Sequence, residues 1–151
     1  MAARLTSDDR TEIMDLLARY SLAADTADIE GYAAVFTPDA ILELGSGRRE
    51  GHEQIKEFMR KRWATPDERP LDQHHLANFV FDGDGERATV RCYVTILSVA
   101  GERSVSTVMM GQYIDELVKR DGRWLIAKRS LRTWNRDTVR DPRSRSQASR
   151  A

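Results

Sequence analysis

Three glycine-containing turns divide residues 73–134 into four extended runs: DGDGE at 82–86, Ala100-Gly101-Glu102, and Arg120-Asp121-Gly122. The runs are QHHLANFVF (73–81), RATVRCYVTILSV (87–99), SVSTVMMGQYIDELV (104–118) and RWLIAKRSLRTW (123–134). Long β-branched and aromatic runs joined by short glycine turns read as successive hairpins. No helical run separates them, so parallel βαβ units are excluded and an antiparallel sheet is expected. Both alternate faces carry apolar residues: Val90, Cys92, Val94 and Ile96 against Tyr93 and Leu97, and Val105, Met109 and Tyr113 against Val108, Met110 and Ile114. A sheet with one wet face alternates cleanly, so here each face needs a cover. Gly111, in mid-run, suggests a bulge or bend.

The first half reads differently. Thr6 and Asp9 have capping-box spacing, and Ile13, Leu16, Leu17, Tyr20 and Ala24 then recur at helical intervals. A second helix carries Ile29, Tyr32, Ala33 and Phe36 until Thr37-Pro38-Asp39 breaks it. Residues 40–44 read as a strand, Gly45-Ser46-Gly47 as a turn, 52–63 as a third helix and 64–72 as a loop. Helices followed by a run of strands make an α+β domain.

The chain has 151 residues, the size of one domain, with equal totals of 24 for Lys+Arg and Asp+Glu. A balanced charge excludes a global field for nucleic acid or anionic lipid. Residues 136–151 hold five Arg against two Asp, and we read them as a basic, disordered tail after a domain at 1–135. Cys92 stands alone, so no internal disulfide forms; no apolar leader or ~20-residue apolar segment is present, and a cytoplasmic protein is expected.

Polar residues inside apolar elements are the candidates for chemistry. Asp25 falls at the end of the first helical stripe, where the helix dipole disfavours a carboxylate and raises its basicity. An equally local reading makes Asp25 or Asp28 the cap of the next helix. His74 and His75 open a strand and point to opposite faces, His74 with Leu76, Asn78 and Val80, His75 with Ala77, Phe79 and Phe81. Adjacent strand histidines diverge and no paired-ligand spacing accompanies them, so no metal is expected. Gly45-x-Gly47-x-x-x-Gly51 lacks dinucleotide-binding spacing, and no serine occupies a nucleophile elbow. Arg129 and Arg132 point to opposite faces of the last strand, and either could enter a cavity.

Four segments, RYSLAADTADIEGYAAVFTPDA, GRREGHEQIKEFM, HHLANFVFDGDGERATVRCYV and DGRWLIAKRSL, come in an order that resembles the SnoaL-like branch of the nuclear transport factor 2-like superfamily, over about residues 5–134. The resemblance implies a cone: a curved, mixed, mostly antiparallel sheet around N-terminal helices, the cystatin-like α+β barrel, enclosing an apolar pocket. Its members include scytalone dehydratase, lindane dehydrochlorinase, bile-acid dehydratases, polyketide cyclases, ketosteroid isomerase and non-catalytic subunits. In the dehydratase-like members a Tyr or Lys five residues before an Asp, a His in an HxxxN strand and a late Arg line the pocket. Tyr20 with Asp25, and His74 with Asn78, match those positions. Arg129 matches the late Arg of the dehydrochlorinase, and Arg132 lies nearer the one in bile-acid enzymes.

The resemblance thus implies a lyase without cofactor that abstracts a proton from carbon and expels a leaving group. His74 would be the base, Asp25 its orienting partner, Tyr20 a hydrogen-bond donor and Arg129, or else Arg132, the charge stabiliser. His75, Asn78, Arg132, Met109 and Trp134 stand as substrate-binding candidates, in a plastic wall suited to a small hydrophobic cyclic or aromatic molecule. The same dyad would serve an isomerase or aldol-type cyclase, and a non-catalytic ligand-binding protein would hold it as a structural bond. The expected partners are that small molecule and copies of the chain itself, as a homodimer or homotrimer, with no nucleic acid and no membrane.

Overall fold

The structure, a computed structural model, describes residues 4–65, 71–100 and 104–140. Helix α1 (Ser7–Thr26) begins where Thr6 Oγ1 accepts the Asp9 N–H and the Asp9 carboxylate accepts the Thr6 N–H, so two orphan donors of the first turn are satisfied. It stops at Ala27, whose left-handed φ of 60° turns the cap N–H back to the Ala23 carbonyl. Asp28 then caps α2 (Ile29–Ala34), its Oδ1 accepting the Gly31 N–H at 2.9 Å. Asp25 is therefore not a cap.

The remaining elements are β1 (Phe36–Leu44), β2 (Gly47–Glu50), α3 (Gly51–Arg62), β3 (Leu71–Gly83), β4 (Arg87–Ala100), β5 (Ser104–Arg120), β6 (Arg123–Thr133) and α4 (Arg136–Arg140). They form one six-stranded sheet in the order β2-β1-β6-β5-β4-β3, parallel only between β1 and β6. The α+β class and the mixed, mostly antiparallel sheet agree with the sequence. The barrel does not close: among the described residues β2 and β3 are free edges. Helices α1 and α3 cover one face, burying Ile13, Leu17, Tyr20, Ile55 and Met59 against Leu42, Val90, Cys92, Tyr113, Leu117 and Ile126. Burial pushes the Cys92 thiol up to about 12, leaving it an inert core residue. Among the described residues no helix is long and apolar enough to cross a membrane.

Several local expectations change. Strand β1 starts at Phe36, before Pro38, because its pairing with β6 is interrupted between Phe36 and Ile41 and the proline sits in that irregularity. Residues 47–50, read as turn and approach to a helix, pair with β1 as β2. Gly111 is regularly paired with Thr133; its reason is close approach, since a Cβ there would lie 2.7 Å from the Arg132 carbonyl oxygen. The bulge lies earlier on β5, around Val108. Residues 136–140, placed in the tail, form α4, because Asn135 Oδ1 accepts the N–H groups of Asp137 and Thr138. The rest of that tail, 141–151, and most of the loop expected at 64–72 lie outside the described residues.

Candidate active site

Two backbone devices bring Asp25 and His74 together. The left-handed turn at Ala27 ends α1 two residues after Asp25, and β3 runs past that helix end. Asp25 Oδ1 lies 2.6 Å from His74 Nδ1, and Asp25 Oδ2 accepts the backbone N–H of His74 at 3.0 Å. One carboxylate thus fixes both the ring and the chain that carries it, which leaves Nδ1 as the protonated nitrogen and Nε2 as the basic one. The dyad is sheltered: the side chains of His74 and Asp25 are 7% and 13% exposed.

Tyr20, one turn and a residue before Asp25 on α1, is 2% exposed and meets the His74 ring edge-on at 6.4 Å between centroids. Its hydroxyl accepts from Tyr32 Oη at 3.0 Å. Phe36 and Tyr113 close around the same ring at 5.9 and 5.8 Å. Burial first, and neighbouring phenols second, push the Tyr32 and Tyr113 hydroxyls well above the ordinary tyrosine range.

Arg129 joins this cluster but not as an open clamp. Its Nε and Nη2 each donate to Asp115 at 2.7 Å, both side chains are fully buried, and its guanidinium stacks 4.0 Å from the Tyr20 ring and 4.1 Å from the Tyr113 ring. Burial opposes the charge on Arg129, but Asp115 more than restores it, so the guanidinium stays charged. Nη1 has no hydrogen-bond partner among the described residues. Two faces and two nitrogens are thus occupied, and Nη1 is the guanidinium nitrogen that remains.

Other expected site residues are placed elsewhere. A bulge between Ala77 and Val80, with Asn78 at φ 58°, inserts one residue into β3 and reverses its phase. Phe79 and Phe81 consequently join His74 on the inner side, and Asn78 is exposed, so the expected His74–Asn78 face is not formed. His75 is exposed and bonds to Gln73 Oε1. Arg132 lines a groove of about 610 Å³ on the outer face of the sheet with Glu43, Ile114, Glu116, Lys128 and Ser130. Trp134 is also outside, against Tyr93 at 5.2 Å, whereas Met109 is half-buried against the core. The sequence reading missed Tyr32, Tyr113 and Asp115 as site residues. Asp115 had a visible sign: a carboxylate in the inward row Tyr113, Asp115, Leu117. Among the described residues, no three His, Cys, Asp or Glu side chains converge as a metal set.

The model of the SnoaL-like domain matches residues 5–130. The uncharacterized protein Rv2910c of Mycobacterium tuberculosis is 31% identical over 125 residues, covering 80% of this chain and 82% of its own. Among solved structures, a variant of Rv3472 of Mycobacterium tuberculosis, a protein of unknown function, superposes with a TM-score of 0.79 at 28% identity, covering 91% of this chain and 82% of that one. A Novosphingobium aromaticivorans protein described provisionally as a scytalone dehydratase superposes with a TM-score of 0.70 at 25% identity over 85% of each chain. A Nostoc punctiforme protein with a cystatin-like fold does so with a TM-score of 0.77 at 25% identity, over 87% of this chain and 96% of that one.

Proposed function

The chain belongs to the SnoaL-like domain family, and from that premise we propose that it is a cofactor-independent lyase acting on a small hydrophobic cyclic or aromatic substrate. The observation that carries this reading is the double grip of Asp25 on His74. A histidine held with Nδ1–H toward a carboxylate presents Nε2 as a base, and the carboxylate stabilises the imidazolium that forms when a C–H proton is taken. Tyr20 donates a hydrogen bond to the oxygen on which charge develops, and the imidazolium returns its proton to the leaving hydroxyl, so that the C–O bond breaks, the double bond forms and water departs. The apolar surroundings, with Phe36, Tyr113 and half-buried Met109, suit a ring rather than a charged metabolite.

A panel of cyclic β-hydroxy ketones tests the reading, with the conjugated enone followed by its ultraviolet absorbance. Elimination by the wild type that falls about 10²–10⁴-fold in His74→Ala is expected. Elimination unchanged in His74→Ala sinks the mechanism. A wild type that only exchanges the α-proton with deuterated water makes the protein an isomerase or cyclase of the same chemistry.

We further propose a cytoplasmic homo-oligomer. Tyr93, Val99, Val105, Met110 and Trp134 are exposed, and Val99 pairs with Val105 while the Trp134 N–H bonds to the Met110 carbonyl. An apolar stripe of this extent calls for a cover.

A further inference from the structure

The geometry points to Asp115 as a positioning residue that acts through Arg129 to keep the phenol of Tyr20 neutral and aligned. The inference rests on the reading of Tyr20 as a hydrogen-bond donor. Two observations carry it. The Arg129 guanidinium lies over the face of the Tyr20 ring, and Asp115, directly across the strand pair, fixes its plane with two hydrogen bonds. A fully buried ion pair is an expensive way to fill a core, because apolar side chains of similar volume usually stabilise as well or better. Its position against the ring suggests a use.

That use follows from charge. A lone cation stacked on a phenol favours the phenolate, the form that has no proton to share. Asp115 supplies the opposite charge and leaves the pair neutral overall. The Tyr32 hydroxyl donates to Tyr20, and the Tyr113 hydroxyl also lies within hydrogen-bond reach of it. The groups facing Tyr20 are Tyr32 from α2, Phe36 from β1, His74 from β3, Tyr113 from β5 and Arg129 from β6, with Asp25 behind His74 and Asp115 behind Arg129. Arg129 is the cation stacked directly on the ring, so the state of its partner sets the balance.

The test is a pH titration of protein labelled with ¹³C at tyrosine Cζ, with the Tyr20 resonance assigned through Tyr20→Phe. Asp115→Asn leaves Arg129 unbalanced, and Asp115→Asn/Arg129→Gln removes both charges. We expect Tyr20 to titrate about one to three pH units lower in Asp115→Asn than in the doubly neutral variant, with the wild type between them. Should Asp115→Asn fail to fold, Arg129→Gln, which leaves Asp115 as the uncompensated charge, decides against the double variant, with Tyr20 titrating higher in Arg129→Gln. Identical Tyr20 titrations in the folded proteins overturn the inference and leave Asp115 purely structural. The titration needs no substrate, so absence of elimination activity alongside the expected shifts would refute the proposed reaction and not the electrostatic role of Asp115.

Discussion

Asp25 holds His74 at two points, the ring nitrogen Nδ1 at 2.6 Å and the backbone N–H at 3.0 Å. Replacing Asp25 by Asn keeps a hydrogen-bonding group of the same shape but removes the charge and permits the wrong tautomer. Turnover of an eliminated substrate should fall about 10²–10⁴-fold with little change in KM. Circular dichroism and steady-state kinetics on the same preparation check this.

The Asp115–Arg129 pair makes a stability prediction separate from its electrostatic one. Both side chains are fully buried, so Asp115→Asn, which strands a buried cation, should cost about 3–5 kcal/mol in urea unfolding. Replacing both at once, Asp115→Leu with Arg129→Met, should restore most of that loss. A double variant as unstable as the single one would show that the pair's surroundings, not its charge, set the cost.

Asp9 ties stability to pH. Lys119 first, then Thr6 and Trp124, donate to its carboxylate and hold its pKa well below the ordinary range. A carboxyl depressed in the folded state contributes stability that is present above the unfolded value, near ~4, and is lost as pH falls toward the folded value. Asp9→Asn should therefore be less stable than the wild type at pH 7. The two should converge as pH drops below about 4. Parallel stability curves across that window would contradict the role of Asp9.

The outer stripe predicts association. Light scattering at micromolar concentration should give a mass well above the 17.2 kDa of one chain, and Met110→Glu should lower it. A monomer mass for the wild type contradicts the homo-oligomer.

Periodicity made the broad architecture legible, because capping boxes, glycine turns and alternating strands are local. What it hid were the bulges. Counting back from the Asp121-Gly122 turn pairs Asp115 with Lys128; the extra residue on β6 near Ala127 puts Arg129 there instead. One further residue on β3 near Asn78 turned the expected His74–Asn78 face inside out. A left-handed asparagine is a known host for such a kink, but nothing in QHHLANFVF marks which residue is extra. Asp25 was ambiguous with Asp28 for the same kind of reason: both follow the helical stripe, and only the left-handed Ala27 decides which one caps.

The most direct measurement on the central claim is long-range ¹H–¹⁵N NMR of His74 in the wild type and in Asp25→Asn. In the wild type the His74 ring should carry a proton on Nδ1 and none on Nε2, and Asp25→Asn should lose that single tautomer. A wild-type ring carrying its proton on Nε2 would leave no base facing a substrate and would contradict that claim.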